Sequence, residues 1–323
     1  MTNDERTQPH TQAQTHTHTH TQAQTHTQPQ PQPRTPRSGA PSPAPAPAPA
    51  PAPILVLGAT GKTGRRVVAR LRAAGHAVRA ASRTAETPFD WTDRATWAPA
   101  LDGVRALYLV APADPEPIAD FVEQARAAGV RRFVVLSGRG VESFGDSFEP
   151  GMAESERVVR EAGVDWTVIR PNNFTQNFDE DLFHGPLLAG RLALPVGDVP
   201  EPFIDVEDIA EVAAVLLTEE GHTHRTYELA GPRAFSFGRA VAEISEASGR
   251  PMRFEHITAD QYVAELTAEG VPEEDARALA DVLGWLAEGH NAALTTDVRD
   301  ILGREPRDFS EYVTSRAEAG AWS

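Results

Sequence analysis

The stretch "ILVLGATGKTGRRVVARL", residues 54–71, constrains this chain more than any other. Ile54 to Leu57 reads as a short, fully buried strand, and Lys62 to Ala74 as an amphipathic helix with Val67, Val68 and Leu71 facing a core. Gly58, Gly61 and Gly64 fall at the junction. Such a strand-loop-helix lets backbone approach a phosphate closely and sets that phosphate on the positive end of the helix dipole. "GATGKTG" imitates a nucleoside-triphosphate P-loop, but that loop needs a glycine five residues before the Gly of its Gly-Lys pair, where this chain has Val56. What remains is Gly-x-x-Gly-x-x-Gly, a variant of the dinucleotide fingerprint.

The strand in "AVRAASR" addresses the choice of dinucleotide. At its end, where NAD binders carry a carboxylate for the ribose 2′-hydroxyl, stand Ser82 and Arg83. An arginine fork suits the 2′-phosphate of NADP(H), which a carboxylate would repel, so NAD(H) is the less favoured cofactor. Lys62, Arg65 and Arg66 are expected to add positive charge near the helix start.

Strand and helix patterns then alternate: "RALYLVAP", Ile118 to Ala128, "RRFVVLSG", "GMAESERVVREAG" and "DWTVIRP". Near-continuous apolar strands in this alternation imply an α/β fold, a Rossmann-like doubly wound parallel sheet. Ligands lie across the carboxyl ends of such strands, which places Ala111, Pro112, Ser137, Gly138, Pro171, Asn172, Asn173 and Phe174 in the cleft. Substrate is assigned to Asn172, Asn173 and Phe174, where a nicotinamide ring would project.

Beyond Pro171 the pattern turns mostly helical. "DVEDIAEVAAVLLTEEG" is a helix capped by Asp205, "RTYELAG" a short strand, and "SFGRAVAEISEASG" a helix capped by Ser236. Residues 257–289 read as two helices broken at Gly270 to Pro272. This part is expected to cover the cleft, with Phe178, Phe183, Tyr262 and Trp285 as candidates for its apolar lining. The domain reading is a low-complexity tail over 1–53, then one domain over 54–323. Within it, 54–171 is the Rossmann core and 172–323 mainly the substrate part.

The tail, with its His-Thr and Pro-Ala repeats, has almost no large apolar side chain and is expected to be disordered and dispensable. No later run reaches membrane-spanning length, so a cytoplasmic protein is expected. The chain has no cysteine, which excludes disulfides, thiolate metal sites and a cysteine nucleophile. The formal charge is −16, which disfavours a nucleic-acid partner. No metal site is expected; the partner implied is a small-molecule substrate, and the oligomeric state is left open.

These pieces carry a family resemblance. "LGATGKTGRRVVARL", "FDWTDRATWAPALDGV", "LYLVAP", "VRRFVVLSGRG", "DWTVIRPNNFTQNF", "EPFIDVEDIAEVA" and "LGREPRDFSEY" resemble the NmrA-like group of atypical short-chain dehydrogenase/reductases. Within that group the likeness is greatest to bacterial relatives of ergot-alkaloid-biosynthesis reductases. The resemblance implies NADP(H), with Gly58, Thr60, Gly61, Lys62, Thr63 and Gly64 around the pyrophosphate. It puts Arg83 at the 2′-phosphate and Asp90 and Trp91 near the adenine. Val110, Ala111, Pro112 and Ser137 would border the rest of the cofactor.

Typical short-chain dehydrogenases use a Tyr-x-x-x-Lys pair as acid and base. Lys62 is the only lysine, so the pair cannot exist here. An arginine version occurs at Tyr312 and Arg316, on what reads as a surface helix. The expected activity is therefore reduction of an acceptor that needs no strong acid from such a pair: an iminium, a quinone or an activated alkene. The alternatives are a non-catalytic dinucleotide sensor and an epimerase-like use of the fold.

Overall fold

The computed structural model describes residues 52–144 and 149–323; the tail reading over 1–51 lies outside them. Nine strands form among the described residues: β1 (Ile54–Leu57), β2 (Val78–Ser82), β3 (Thr87–Pro88), β4 (Ala106–Val110), β5 (Arg132–Leu136), β6 (Asp165–Pro171), β7 (Arg191–Leu194), β8 (Arg225–Leu229) and β9 (Arg253–His256). Seven make one sheet in the order β3-β2-β1-β4-β5-β6-β8, and every pairing in it is parallel.

Side chains along each central strand alternate between two cores, as the period of two requires. Ile54 and Val56 of β1, Tyr108 of β4 and Val134 of β5 face one core, filled by Val67 and Leu71 of the helix Lys62–Ala73 and by Ile209, Val212 and Leu216 of the helix Val206–Thr218. Leu55, Leu57, Leu107, Leu109, Phe133 and Val135 face the other, where Trp97, Phe121, Val122 and Val159 pack. Both faces are covered, which is why the strands read as unbroken apolar runs.

A third core lies in the carboxyl-terminal part. Phe178, Phe183, Phe203, Phe237, Phe309 and Trp322 pack there with the helices Ala259–Ala268 and Glu273–Ala287. A separate two-stranded parallel sheet, β7 with β9, belongs to this layer, so the part is not purely helical. Pro171 does not divide the chain cleanly either: β8 and the helix Val206–Thr218 return to the main sheet. The helix caps follow the sequence reading, with Asp205 accepting from Glu207 N–H and Ser236 from Arg239 N–H. Among the described residues no helix is long and apolar enough to cross a membrane.

Candidate functional site

The strand order turns back at β1, whose neighbours are β2 and β4, and the crevice at the carboxyl ends there is the ligand position of an open α/β sheet. Gly58 opens it with φ +61°, and Gly61 N–H donates back to Gly58 O at 2.8 Å. A Cβ on Gly64 would lie 2.2 Å from Gly58 O, so only glycine lets the helix Lys62–Ala73 start this close to the strand. Gly61 caps that helix with no side-chain hydrogen bond, and no acid occupies its first turn. Its first N–H groups are thus left for an anion.

The groove beside this loop has a volume of about 840 Å³ and is lined by Gly58, Thr60, Gly61, Ser82, Arg83, Phe89, Asp90, Trp91 and Val110 to Ala113. Nine of the expected cofactor residues therefore come together: Gly58, Thr60, Gly61, Arg83, Asp90, Trp91, Val110, Ala111 and Pro112. Thr63 and Gly64 are buried beneath the loop and shape it. Thr92 holds the Asp90 carboxyl below its ordinary value by backbone and hydroxyl hydrogen bonds. Trp91 meets Phe89, Trp97 and Phe121 edge to face, which fixes its ring as part of the wall.

The positive field expected near the helix start is not where the sequence put it. Arg65 pairs with Glu180, and Arg66 with Glu180 at 2.7 Å and Glu207 at 2.9 Å. Lys62 donates to Asn177 Oδ1 at 2.7 Å and to Asp181, and stands 5.4 Å over the Phe174 ring. The segment that follows β6 thus lays its acids on the outer face of the helix and neutralises all three cations. Arg83 is exposed at the end of β2 and forms no ion pair with a described residue.

A second cavity, of about 320 Å³, lies at the ends of β5 and β6. Lys62 and Ser137 line it, not the first groove, together with Asn172, Asn173 and Phe174. Phe183, Tyr262, Leu279 and Trp285 supply an apolar wall from the carboxyl-terminal part. Phe178, expected there, is fully buried among Phe183, Phe203 and Phe309 instead.

The floor of this cavity rests on a buried polar network that the sequence did not reveal. Glu201, 2 % exposed, accepts at one oxygen from Asn172 Nδ2 (2.9 Å), Asn173 N–H (3.2 Å) and Asn173 Nδ2 (3.1 Å). Burial raises its carboxyl above the ordinary value despite these donors and the charge of Arg139. Arg139 donates to Asn172 Oδ1 at 2.7 Å and to the backbone carbonyls of Asn291 and Ala293. It also pairs with Glu228 at 3.2 Å. Only the position of Arg139, just past the end of β5, carried a signal; Glu201 and Asn291 are brought in by the chain's return.

Among the described residues no acid-base pair of the tyrosine type forms. Tyr312, expected on a surface helix, is buried in the third core, where its hydroxyl donates to Asp179 at 2.5 Å beside Arg316. The helix faces of Phe309, Tyr312 and Val313 pack inward, and that packing decides the matter. On the helix Pro150–Glu161, Glu154 pairs with Arg157, and the buried Glu156 pairs with Arg170 and Arg160, each at 2.7 Å. Burial pushes the Glu156 carboxyl up, but those arginines outweigh it and hold it low.

The fold and the groove define a dinucleotide-binding protein of the Rossmann class. Residues 58–220 match the NAD(P)H-binding family. A (4-alkanoyl-5-oxo-2,5-dihydrofuran-3-yl)methyl phosphate reductase of Streptomyces griseus is 36 % identical over 284 residues, 83 % of this chain and 99 % of that protein. A festuclavine dehydrogenase of Aspergillus fumigatus is 30 % identical over 292 residues, 83 % of this chain and 98 % of that protein. An NADPH-dependent quinone oxidoreductase from Escherichia coli, solved with NADPH, shares the fold at a TM-score of 0.67 and 22 % identity, over 81 % of this chain and 99 % of that one. The chain belongs to the NAD(P)H-binding family.

Proposed function

We propose that this protein is an NADP(H)-dependent reductase that passes hydride to a small organic acceptor of the iminium, quinone or activated-alkene type, without a Tyr-x-x-x-Lys pair. The observation that carries the reading is the pair of adjoining hollows at neighbouring strand ends. One is a glycine-lined groove with an arginine that forms no ion pair with a described residue, and the other an apolar cavity of a size for one small ring system. The two curated relatives, a reductase and a dehydrogenase by name, support the same class.

The bound dinucleotide would supply the hydride. The loop N–H groups at Gly58 to Gly61 suit its pyrophosphate, and Gly64 leaves the space that this approach requires. Trp91 and Asp90 suit the adenine end, Val110 to Pro112 the middle, and Asn172, Asn173 and Phe174 the acceptor. Arg83 is assigned the 2′-phosphate, because the other cations near the loop are already neutralised.

Titration of the protein and its variants with NADPH and NADH at fixed salt tests the cofactor assignment. A hydrogen bond to a charged group contributes about 1.5–3 kcal/mol, reduced here by solvent. Arg83→Ala should therefore weaken NADPH binding by a factor on the order of 10 to 100 and leave NADH little changed. Arg83→Asp should turn the preference toward NADH. Equal affinity of the unaltered protein for both dinucleotides overturns the assignment. Loss of NADPH fluorescence on adding imines, quinones and enones tests the chemistry; tight binding with no turnover on any of them would make the protein a sensor.

A further inference from the structure

The second cavity contains one acid that the ion-pair networks leave out. Glu149 lines it beside Ser137, Met152 and Trp285, and its carboxyl makes no hydrogen bond or ion pair with a described residue. Its backbone sits at φ 48° and ψ 51°, a left-handed conformation that a residue other than glycine rarely adopts and that concentrates at functional sites. The packing of the next turn shows what holds it there. A Cβ on Gly151 would lie 1.8 Å from Pro112 O, so the start of the helix Pro150–Glu161 is pressed against the wall of the dinucleotide groove. Glu149 stands two residues from that junction, on the cavity side.

Lys62, Asp181 and Tyr262 are the other titratable groups of the cavity wall. Lys62 and Asp181 pair with each other, and burial pushes the Tyr262 phenol up to about 12. On the flanking elements, Glu142 pairs with Arg170, and Glu154 and Glu156 pair with arginines. Burial raises the Glu149 carboxyl above its ordinary value. A half-buried carboxyl raised by burial, facing an apolar cavity and paired with no described residue, suits the place of a general acid.

We propose that Glu149 is the catalytic proton donor of this cavity, for acceptors that hydride addition leaves anionic. The proposal rests on the reductase reading. With an enone, hydride from the reduced dinucleotide forms a C–H bond at the β-carbon, and two electrons pass into the acceptor. The alkene pair shifts, the carbonyl oxygen takes the negative charge, and an O–H bond forms there as the Glu149 O–H bond breaks. The enol returns to the ketone in water, and water restores the proton to Glu149. A cyclic iminium takes the same hydride and becomes a neutral amine, so it needs no proton.

The test compares Glu149→Gln and Glu149→Asp with the unaltered protein on an enone and on an N-methyl cyclic iminium, following NADPH. General acids contribute 10²–10⁴-fold. Glu149→Gln should therefore lower kcat on the enone by about tenfold or more and abolish its fall with rising pH. Its iminium rate should fall by much less than its enone rate, and Glu149→Asp should recover part of the enone rate. Equal losses on both acceptors, or none on the enone, overturn the proposal. Calorimetry of nitrophenolate binding at pH 8 in two buffers of different ionisation enthalpy decides the point without turnover. About one proton should be taken up by the unaltered protein and about none by Glu149→Gln. Equal uptake in the two, or no binding, overturns the proton donor whatever becomes of the reductase reading. Absence of turnover on both acceptors, with the difference in uptake intact, overturns the reductase reading alone.

Discussion

The dinucleotide groove and the cavity beside it sit on the carboxyl ends of one sheet, yet they are held by different forces. The groove is a backbone construction. Gly58, Gly61 and Gly64 are within seven residues of one another, and their role is the space that they leave unfilled. The cavity is a side-chain construction, assembled from Lys62 at one end of the chain's folded part to Asn291 near the other. Its polar floor depends on Glu201, Arg139 and the Asn291 carbonyl meeting out of water. A groove of the first kind is a local property that tolerates changes elsewhere. A cavity of the second kind can change its walls by substitution in distant helices while the groove stays the same.

The largest effect that would break this contrast is expected at Gly64. Gly64→Ala places a methyl group 2.2 Å from Gly58 O and 2.7 Å from its carbonyl carbon, both backbone atoms that cannot swing aside. Overpacking of this kind costs about 1–3 kcal/mol, and the loop must open to relieve it. NADPH affinity should fall by a factor on the order of 100 or more. Gly61→Ala, where the contact is 3.2 Å, should be clearly milder. Fluorescence titration of both variants checks the order, and equal losses would show that the loop is not governed by close approach.

Arg139→Ala should act on the other side of the comparison. It removes the donor to Asn172 Oδ1 and to two backbone carbonyls, and takes away the positive charge that faces Glu201. Charge-assisted bonds of this kind suggest a loss of about 2–3 kcal/mol in unfolding free energy. KM for the acceptor should rise while the Kd for NADPH holds. A parallel rise in both would show that groove and cavity are one mechanical unit.

The smallest effect is expected in the layer that backs the cavity, through pH. Arg233 holds the Asp308 carboxyl well below its ordinary value, at about 2. A depressed acid contributes stability above its unfolded value, near 4, and that contribution disappears as pH falls toward 2. Asp308→Asn preserves a side-chain oxygen to cap the helix Phe309–Glu318. Its Tm should therefore lie slightly below that of the unaltered protein at pH 6, with the gap closing between about pH 4 and pH 2. Both partners are partly exposed, so the gap should shrink in salt. A gap independent of pH would point to lost packing instead of lost charge.

What could be read in advance follows the range of the forces. The helix Ile118–Ala128 and strand β6 fall where periodicity puts them, because an apolar repeat facing a core is a local signal. Strands β7 and β9 leave no mark in the sequence: "RLAL" and "RFEH" are four residues each, and β9 is largely exposed, so neither offers a run long enough to show a period. In the sequence Lys62, Arg65 and Arg66 look like free charge because nothing near them is acidic. Their partners, Glu180, Asp181 and Glu207, lie more than a hundred residues further on.

The sequence by itself determined the glycine loop, the parallel sheet around it, the absence of a Tyr-x-x-x-Lys pair and the position of Arg83 at a strand end. All of these depend on residues that interact within a few turns of chain, or on a residue type simply missing. Only the tertiary structure decided which cations pair with described residues, that Tyr312 is buried against Asp179, and that Glu149 faces the cavity with no partner among the described residues. Those outcomes depend on which distant side chains are excluded from water together. Charge and hydrogen bonding in a dry interior act over a few ångströms of space, whatever the distance along the chain.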